Sequence, residues 1–448
     1  MIVLKNHRDN YTFLTQAPVK KVILTLAVPT ILSMLVTGVY NIATTFYVGH
    51  INNQATAAVG ISFSFMAAIQ AIGFTFGQGS GNYISRELGA KRHDNAARMA
   101  ATGFVGSVAT GALLGVLGLL FLHPLCRLLG STPTILPYTE QYLVYVLLGA
   151  PFMTGSLTLN NQMRFQGNAA YAMYGIFAGA LLNVALAPIL IFGFHMGITG
   201  AGVATLAGQV TGMALLFYMT TKGGTIRIRM GNLSHTPQML KEIFAGGTPS
   251  LTRQGMAAVS VALLNVAAGA YGDAAIAAMS IVGRIAYVVM AVIIGLGQGY
   301  QPVCGFCYGA HLYKRVKQGY WFIVRIGFYF LLACSLLGFV FTQPLIALFR
   351  NNAHVVAIGS VALQWQLATL PLGSVIMFTN MLMQTTRKPW RANILASARS
   401  GLFFIPLIIL LPRRYGLLGV EMCQAWADVL SFIMAVVIAR TAFRELKS

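Results

Sequence analysis

Apolar positions along the chain gather into runs much longer than the stripe a water-soluble helix needs. Six lie in the first half, at about 20–48, 57–84, 98–122, 139–160, 171–194 and 200–222. Six more follow, at about 246–269, 274–305, 319–342, 358–380, 394–412 and 417–439. A bilayer core takes roughly 20 helical residues to cross, and every run meets that length. The stretch at 99–122, MAATGFVGSVATGALLGVLGLLFL, carries no charge at all. The pattern predicts an all-α integral membrane protein with twelve transmembrane helices.

The polar residues between the runs repeat. GQG at 77–79 returns at 297–299, an offset of 220, and Gly89-Ala90 returns as Gly309-Ala310 at the same offset. Pro29 pairs with Pro249, Gly49 with Gly269, Pro151 with Pro371 and Asn160 with Asn380, while LGLLFLHPL (117–125) matches LGFVFTQPL (337–345). A register kept over this length means one bundle, duplicated. Six spans per copy is an even number, so the two copies share an orientation. Two six-helix lobes related by a pseudo-twofold along the membrane normal, with a pathway between them, are therefore expected. The organisation expected is an N-lobe at 1–222 with spans one to six, a cytoplasmic linker at 223–245, and a C-lobe at 246–448 with spans seven to twelve.

Composition agrees with this reading, since 57% of the 448 residues are hydrophobic and only 9% are charged. Such a chain is not soluble. The net charge of +21 would suit nucleic acid if it were concentrated, but the basic residues are spread over short loops. They fall in every second loop: Arg86, Lys91, Arg92 and Arg98; Lys222, Arg227, Arg229 and Lys241; Lys314, Arg315 and Lys317; Arg387, Lys388 and Arg391; Arg440, Arg444 and Lys447. Alternate loops hold little beyond Arg127, Arg350, Arg413 and Arg414. By the positive-inside rule the rich loops and both termini face the cytoplasm. A polar stretch precedes the first span, which lacks a small-residue cleavage site, so no removable signal is expected.

GQGSG at 77–81 could be read as a phosphate-cradling loop, but no strand precedes it and it ends a membrane span. Gly73, Gly77 and Gly81 lie four apart, on one helical face, where they would let a neighbouring helix approach closely. Five scattered cysteines imply no disulfide framework, and CGFC at 304–307 is read as small residues ending a helix. The eight histidines sit in loops or at helix ends, which gives no metal site.

Polar groups inside spans are expensive and mark function by default. Of nine acids, only Glu421 and Asp428 lie within a span, seven residues apart and so on one face of the last helix. Asp428, near mid-span, is the stronger candidate for a protonatable coupling group, with a packing role against a neighbouring helix as the alternative. The first half offers Tyr40, Asn41, Thr44, Asn183, Thr205 and Gln209, whose hydroxyls and amides could hold a cation, hydrogen-bond a substrate, or join helices. The second half offers Arg253, Asn265, Arg284, Tyr287, Met290 and Gln298 as cavity candidates.

Several stretches together resemble the multidrug and toxic compound extrusion (MATE) family, in its MepA-like branch, over essentially the whole chain. They are YNIATTFYVGH (40–50), RELGAKR (86–92), RFQGNAAYAM (164–173), GALLNVALAPILIFGFHMGITGAGVAT (179–205), GLGQGYQPVCGFCYGA (295–310) and GLLGVEMCQAWADVLSF (416–432). The resemblance implies two six-helix lobes around a cavity, alternating access, and export driven by entry of Na⁺ or H⁺, without any cofactor. Family members commonly place an aspartate five residues before the glycine that is Gly49 here, where this chain has Thr44. They commonly place a second one residue before the fifth-span proline, where this chain has Ala187 before Pro188. Asn183 and Thr205, which accompany those acids, are present. Coupling would then have moved to Asp428, or the carrier works without the usual first-lobe cation site.

The expected function is ion-coupled efflux of organic compounds by a monomer in the inner membrane of a bacterium. The expected partners are a small organic substrate and membrane lipid, and not nucleic acid. A scarcity of acids favours neutral or anionic cargo over cations. A lipid-linked precursor flippase is the alternative, and would call for more clustered basic groups than Arg253 and Arg284. An enzyme or receptor would need a catalytic pair or a large extramembrane domain, and neither is apparent.

Overall fold

The computed structural model describes residues 10–222, 226–234 and 236–446, with Asn41 described for its backbone alone. Among these residues the chain is almost wholly helical, without strands. Twelve long helices follow the twelve apolar runs. In the first half they are α1 (Val19–Gly49), α2 (Asn53–Gly89), α3 (His93–Leu120), α4 (Leu136–Phe165), α5 (Ala169–Gly193) and α6 (Gly197–Met219). The second half has α7 (Pro237–Gly269), α8 (Asp273–Gly309), α9 (Tyr313–Val340), α10 (Ala353–Thr385), α11 (Pro389–Tyr415) and α12 (Leu417–Glu445). Eleven are long and apolar enough to cross a membrane. The other, α7, has the length at 33 residues but carries Arg253, Gln254 and Asn265 along it.

The chain divides into two compact units. The first comprises residues 1–18, 25–247 and 305–310, and the second 19–24, 248–304 and 311–448. The division falls near the expected linker, but the first turns of α1 group with the second unit and the last turns of α8 with the first.

Exposure on these helices is the reverse of that on a soluble helix. Along α1, Leu24, Val28, Leu32, Leu35, Val39, Ile42 and Phe46 all point outward. Steps of three and four place them in one continuous stripe, which belongs against hydrocarbon and not water. The opposite faces are small and polar. Within the first unit, a Cβ on Gly73 would meet Leu157 at 2.9 Å and one on Gly77 would meet Asn161 at 2.9 Å, while Gly81 lies against Phe165. Both rows advance four residues at a time, so α2 and α4 run parallel with their backbones nearly touching. Buried polar bonds tie the same seam, Gln78 Nε2 donating to Asn161 Oδ1 at 3.0 Å and Gln162 Nε2 to Ser80 Oγ at 3.0 Å. Bonds of this kind join helices where hydrophobic burial cannot.

The duplication is visible in local geometry. Asn160 Nδ2 donates to the Ala172 carbonyl at 2.8 Å, and Asn380 Nδ2 donates to the Ala392 carbonyl at 2.6 Å. Both members of that pair are displaced by the same 220 residues. Left-handed backbone recurs likewise, at Lys91 (φ 60°) and His311 (φ 58°), and at Gly167 (φ 89°) and Arg387 (φ 62°). All five cysteines are free, and Cys304 and Cys307 are buried in the last turns of α8.

Candidate functional site

The first unit contains a cavity of about 140 Å³ bounded by α1, α2, α4, α5 and α6. Four of the sequence candidates line it, Tyr40, Asn183, Thr205 and Gln209. Thr44, one turn beyond Tyr40, completes the group. Its hydroxyl lies 3.1 Å from the Tyr40 carbonyl and 3.5 Å from Asn183 Oδ1, two acceptors for one proton. Asn183 Nδ2 donates to Thr205 Oγ1 at 3.3 Å, and Thr205 in turn donates to the Ala201 carbonyl at 2.9 Å. Ala187 is 1% exposed and sits one turn beyond Asn183 in the apolar core. The side chain of Asn41 lies outside the described residues.

No lining residue of this cavity is charged. Its chemistry is hydroxyl, amide and thioether: Thr37, Gln70 and Ser156 beside the residues above, with Met66 and Met153 as polarizable walls. Gln209 Nε2 reaches only the Met153 sulfur, at 3.6 Å, and Gln209 Oε1 is buried with no hydrogen-bond partner among the described residues. A buried acceptor left unsatisfied costs stability until a donor arrives. This oxygen packs against Gly149, behind the cavity wall. Tyr142, whose hydroxyl is 3.5 Å from Thr205 Oγ1, supports the group from behind. Sequence reading missed Tyr142, Gln70 and Ser156 because single hydroxyls and amides in apolar runs carry no spacing signal.

Space for the cavity comes from glycine. Where α5 meets α6, a Cβ on Gly179 would come within 2.6 Å of the Gly208 carbonyl, and one on Gly208 within 2.7 Å of the Gly179 carbonyl. Gly175, Gly179, Gly208 and Gly212 all border the cavity. At this pair the helices touch backbone to backbone, and the Asn183–Thr205 side-chain bond joins them close by.

In the second unit Asp428 is 1% exposed and held by an arginine that the sequence reading overlooked. Arg399 Nε donates to Asp428 Oδ1 at 2.7 Å and Nη2 to Oδ2 at 3.2 Å, while Gln424 Nε2 donates to Oδ1 at 2.9 Å. This fork-to-fork geometry is the strong form of an ion pair. Arg399 is the one charge in the apolar run 394–412, and the one mid-span acid lies in the next run. Arg325 stands equally alone in the run 319–342, so the sequence offers more than one partner for this acid. Arg399 sits on a π-turn, Ala398–Leu402, and the Ser400 carbonyl there is taken up by the Ser260 hydroxyl of α7. Glu421, by contrast, is 7% exposed and makes no hydrogen bond or ion pair among the described residues.

The other second-half candidates divide by burial. Met290 and Gln298 are buried, at 6% and 2% exposure. Arg253 is half-buried and donates from Nη1 to Asn380 Oδ1 at 3.2 Å. Asn265, Arg284 and Tyr287 are exposed. Among the described residues, no three of His, Cys, Asp and Glu come together as metal ligands would.

Comparison with known proteins gives concordant matches. The MatE family model matches residues 29–189 and 249–410, one copy in each half. Multidrug export protein MepA of Staphylococcus haemolyticus (strain JCSC1435) is 26% identical over 429 residues, covering 95% of this chain and 94% of the relative. MepA of Staphylococcus aureus (strain N315) is 27% identical with the same coverage. Among solved structures, a MOP superfamily transporter from Pyrococcus furiosus Vc1 superposes with a TM-score of 0.92 at 24% identity, over 99% of this chain and 100% of that one. At that identity the likeness shows the fold.

Proposed function

We propose, from the premise that this chain belongs to the MatE family, that it is a secondary active exporter of small organic compounds working by alternating access. It sits in a bacterial inner membrane with both termini in the cytoplasm, as the distribution of basic loops supports. Relatives named as multidrug export proteins support a broad range of cargo. The observation that carries the reading is the cavity of the first unit, recessed between five helices and lined by hydroxyls, amides and methionines.

A cavity without carboxylates offers a permanent cation little beyond the faces of Tyr40 and the methionines. Neutral cargo that can hydrogen-bond with the lining hydroxyls and amides suits it better. Coupling is assigned to the second unit. Asp428 already has a cation, Arg399, and a sodium ion would have to displace it. Glu421 has no such partner, so it is the carboxyl group best placed to load and release a proton.

Inside-out vesicles with imposed pH and Na⁺ gradients, loaded in turn with neutral, cationic and anionic dyes, test the reading. Accumulation of a neutral dye that is driven by the pH gradient and lost in Glu421→Gln supports it. Drive that persists in Glu421→Gln and vanishes in Asp428→Asn would return coupling to Asp428. A Na⁺-only drive would remove the proton assignment altogether.

A further inference from the structure

The start of α11 reads Arg387-Lys388-Pro389-Trp390-Arg391. The paired asparagine bonds to Ala172 and Ala392 fix its counterpart in the first half as Gly167-Asn168-Ala169-Ala170-Tyr171, which carries no charge. Arg387 stands at φ 62°, in the left-handed region that a Cβ disfavours, where the counterpart is glycine. The two corners thus differ, the second-half one being basic and carrying a side chain at positive φ.

Lys388, Pro389, Trp390, Arg391 and Glu445 line a surface recess of about 270 Å³. Glu445, at the end of α12, accepts from Lys388 Nζ and, at 2.7 Å, from Arg391 Nη2. Arg391 Nη1 is buried and has no hydrogen-bond partner among the described residues. Trp390 is 77% exposed. Two cations thus face one carboxylate, and a large indole projects from the end of a membrane-length helix. Indoles settle at the boundary between headgroups and acyl chains, and basic side chains beside them attract acidic lipid.

We propose that this corner binds the phosphate headgroup of an anionic phospholipid from the cytoplasmic leaflet. The phosphate is met by the exposed edge of the Arg391 guanidinium and the remaining protons of Lys388, and the glycerol end of the lipid lies against Trp390. A free phosphate could meet the same nitrogens, but only a lipid also covers the indole. The proposal rests on the membrane orientation given above, and its test separates the two.

A variant keeping Trp390 as its only tryptophan (Trp321→Phe, Trp365→Phe, Trp426→Phe) is reconstituted into bilayers with a small fraction of brominated phosphatidylglycerol or brominated phosphatidylcholine, and Trp390 emission is read. Stronger quenching by the glycerol lipid at equal mole fraction is expected, with a preference falling about fivefold for each cation removed in Lys388→Gln and Arg391→Gln. Inorganic phosphate should leave the quenching unchanged. Equal quenching by both lipids overturns the headgroup site while leaving the membrane placement standing. Quenching by neither shows that Trp390 is away from lipid and refutes the placement itself. Relief of quenching by inorganic phosphate assigns the site to free phosphate and overturns the lipid.

Discussion

The same pair of helices is joined in two ways in the two halves of this molecule. In the first unit α5 and α6 meet through Gly179 and Gly208, backbone against backbone, and a cavity lies beside them. In the second unit the junction between α11 and α12 carries the Arg399–Asp428 ion pair, braced by Gln424. Duplication gave both halves one scaffold. Small residues leave a cavity beside one junction, while an ion pair occupies the other.

The largest effect expected from this difference is on stability in the second unit. Arg399→Gln leaves Asp428 buried and uncompensated, which should cost about 3–5 kcal/mol, seen as a large drop in the unfolding temperature of the detergent-solubilised protein. The double change Arg399→Met with Asp428→Leu removes both charges together and should restore most of that loss. A single variant as stable as the parent would show that water already reaches Asp428.

Closing the open junction comes next. Gly179→Leu forces side-chain atoms into the Gly208 backbone and the cavity, and should cost about 1–3 kcal/mol of stability by overpacking with loss of transport. The matching measurement is dye efflux from intact cells at equal expression. A smaller change is a gain. Restoring acids at Thr44 and Ala187 places two carboxylates beside Asn183 and Thr205, and about tenfold dependence of cargo affinity on Na⁺ or pH should appear. Unaltered ion dependence would show that these residues do not shape a cation site here. Smallest is Asn183→Ala, which removes a cavity-lining amide together with its bonds to Thr44 and Thr205; loss of one hydrogen bond to a neutral cargo, worth about 1 kcal/mol, should weaken its binding about fivefold.

How much of this could be read beforehand differed in the two halves for physical reasons. Span positions and the 220-residue register were legible because a bilayer imposes length and apolarity on every helix, and because paired features such as Asn160 and Asn380 survive duplication. Tyr40, Asn183, Thr205 and Gln209 were legible as a group since polar atoms in apolar helices stand out, and the structure brings them to one cavity. Arg399 was passed over, although its charge stands alone in its run. Asp428 was read as a protonatable group or as a packing residue against a neighbouring helix, without the partner that holds it one span earlier being named. The second-half candidates Asn265, Arg284 and Tyr287 stand out in sequence for the same polar reason and are exposed.

The most direct test of the central claim is transport by the purified chain in proteoliposomes, measured for a neutral hydrogen-bond-donating dye in the parent and in Gly179→Leu. Concentrative uptake by the parent, abolished in a Gly179→Leu protein that still unfolds cooperatively, is the result expected of an exporter that carries its cargo in the first-unit cavity. Uptake at the parent rate with that cavity filled would contradict the account.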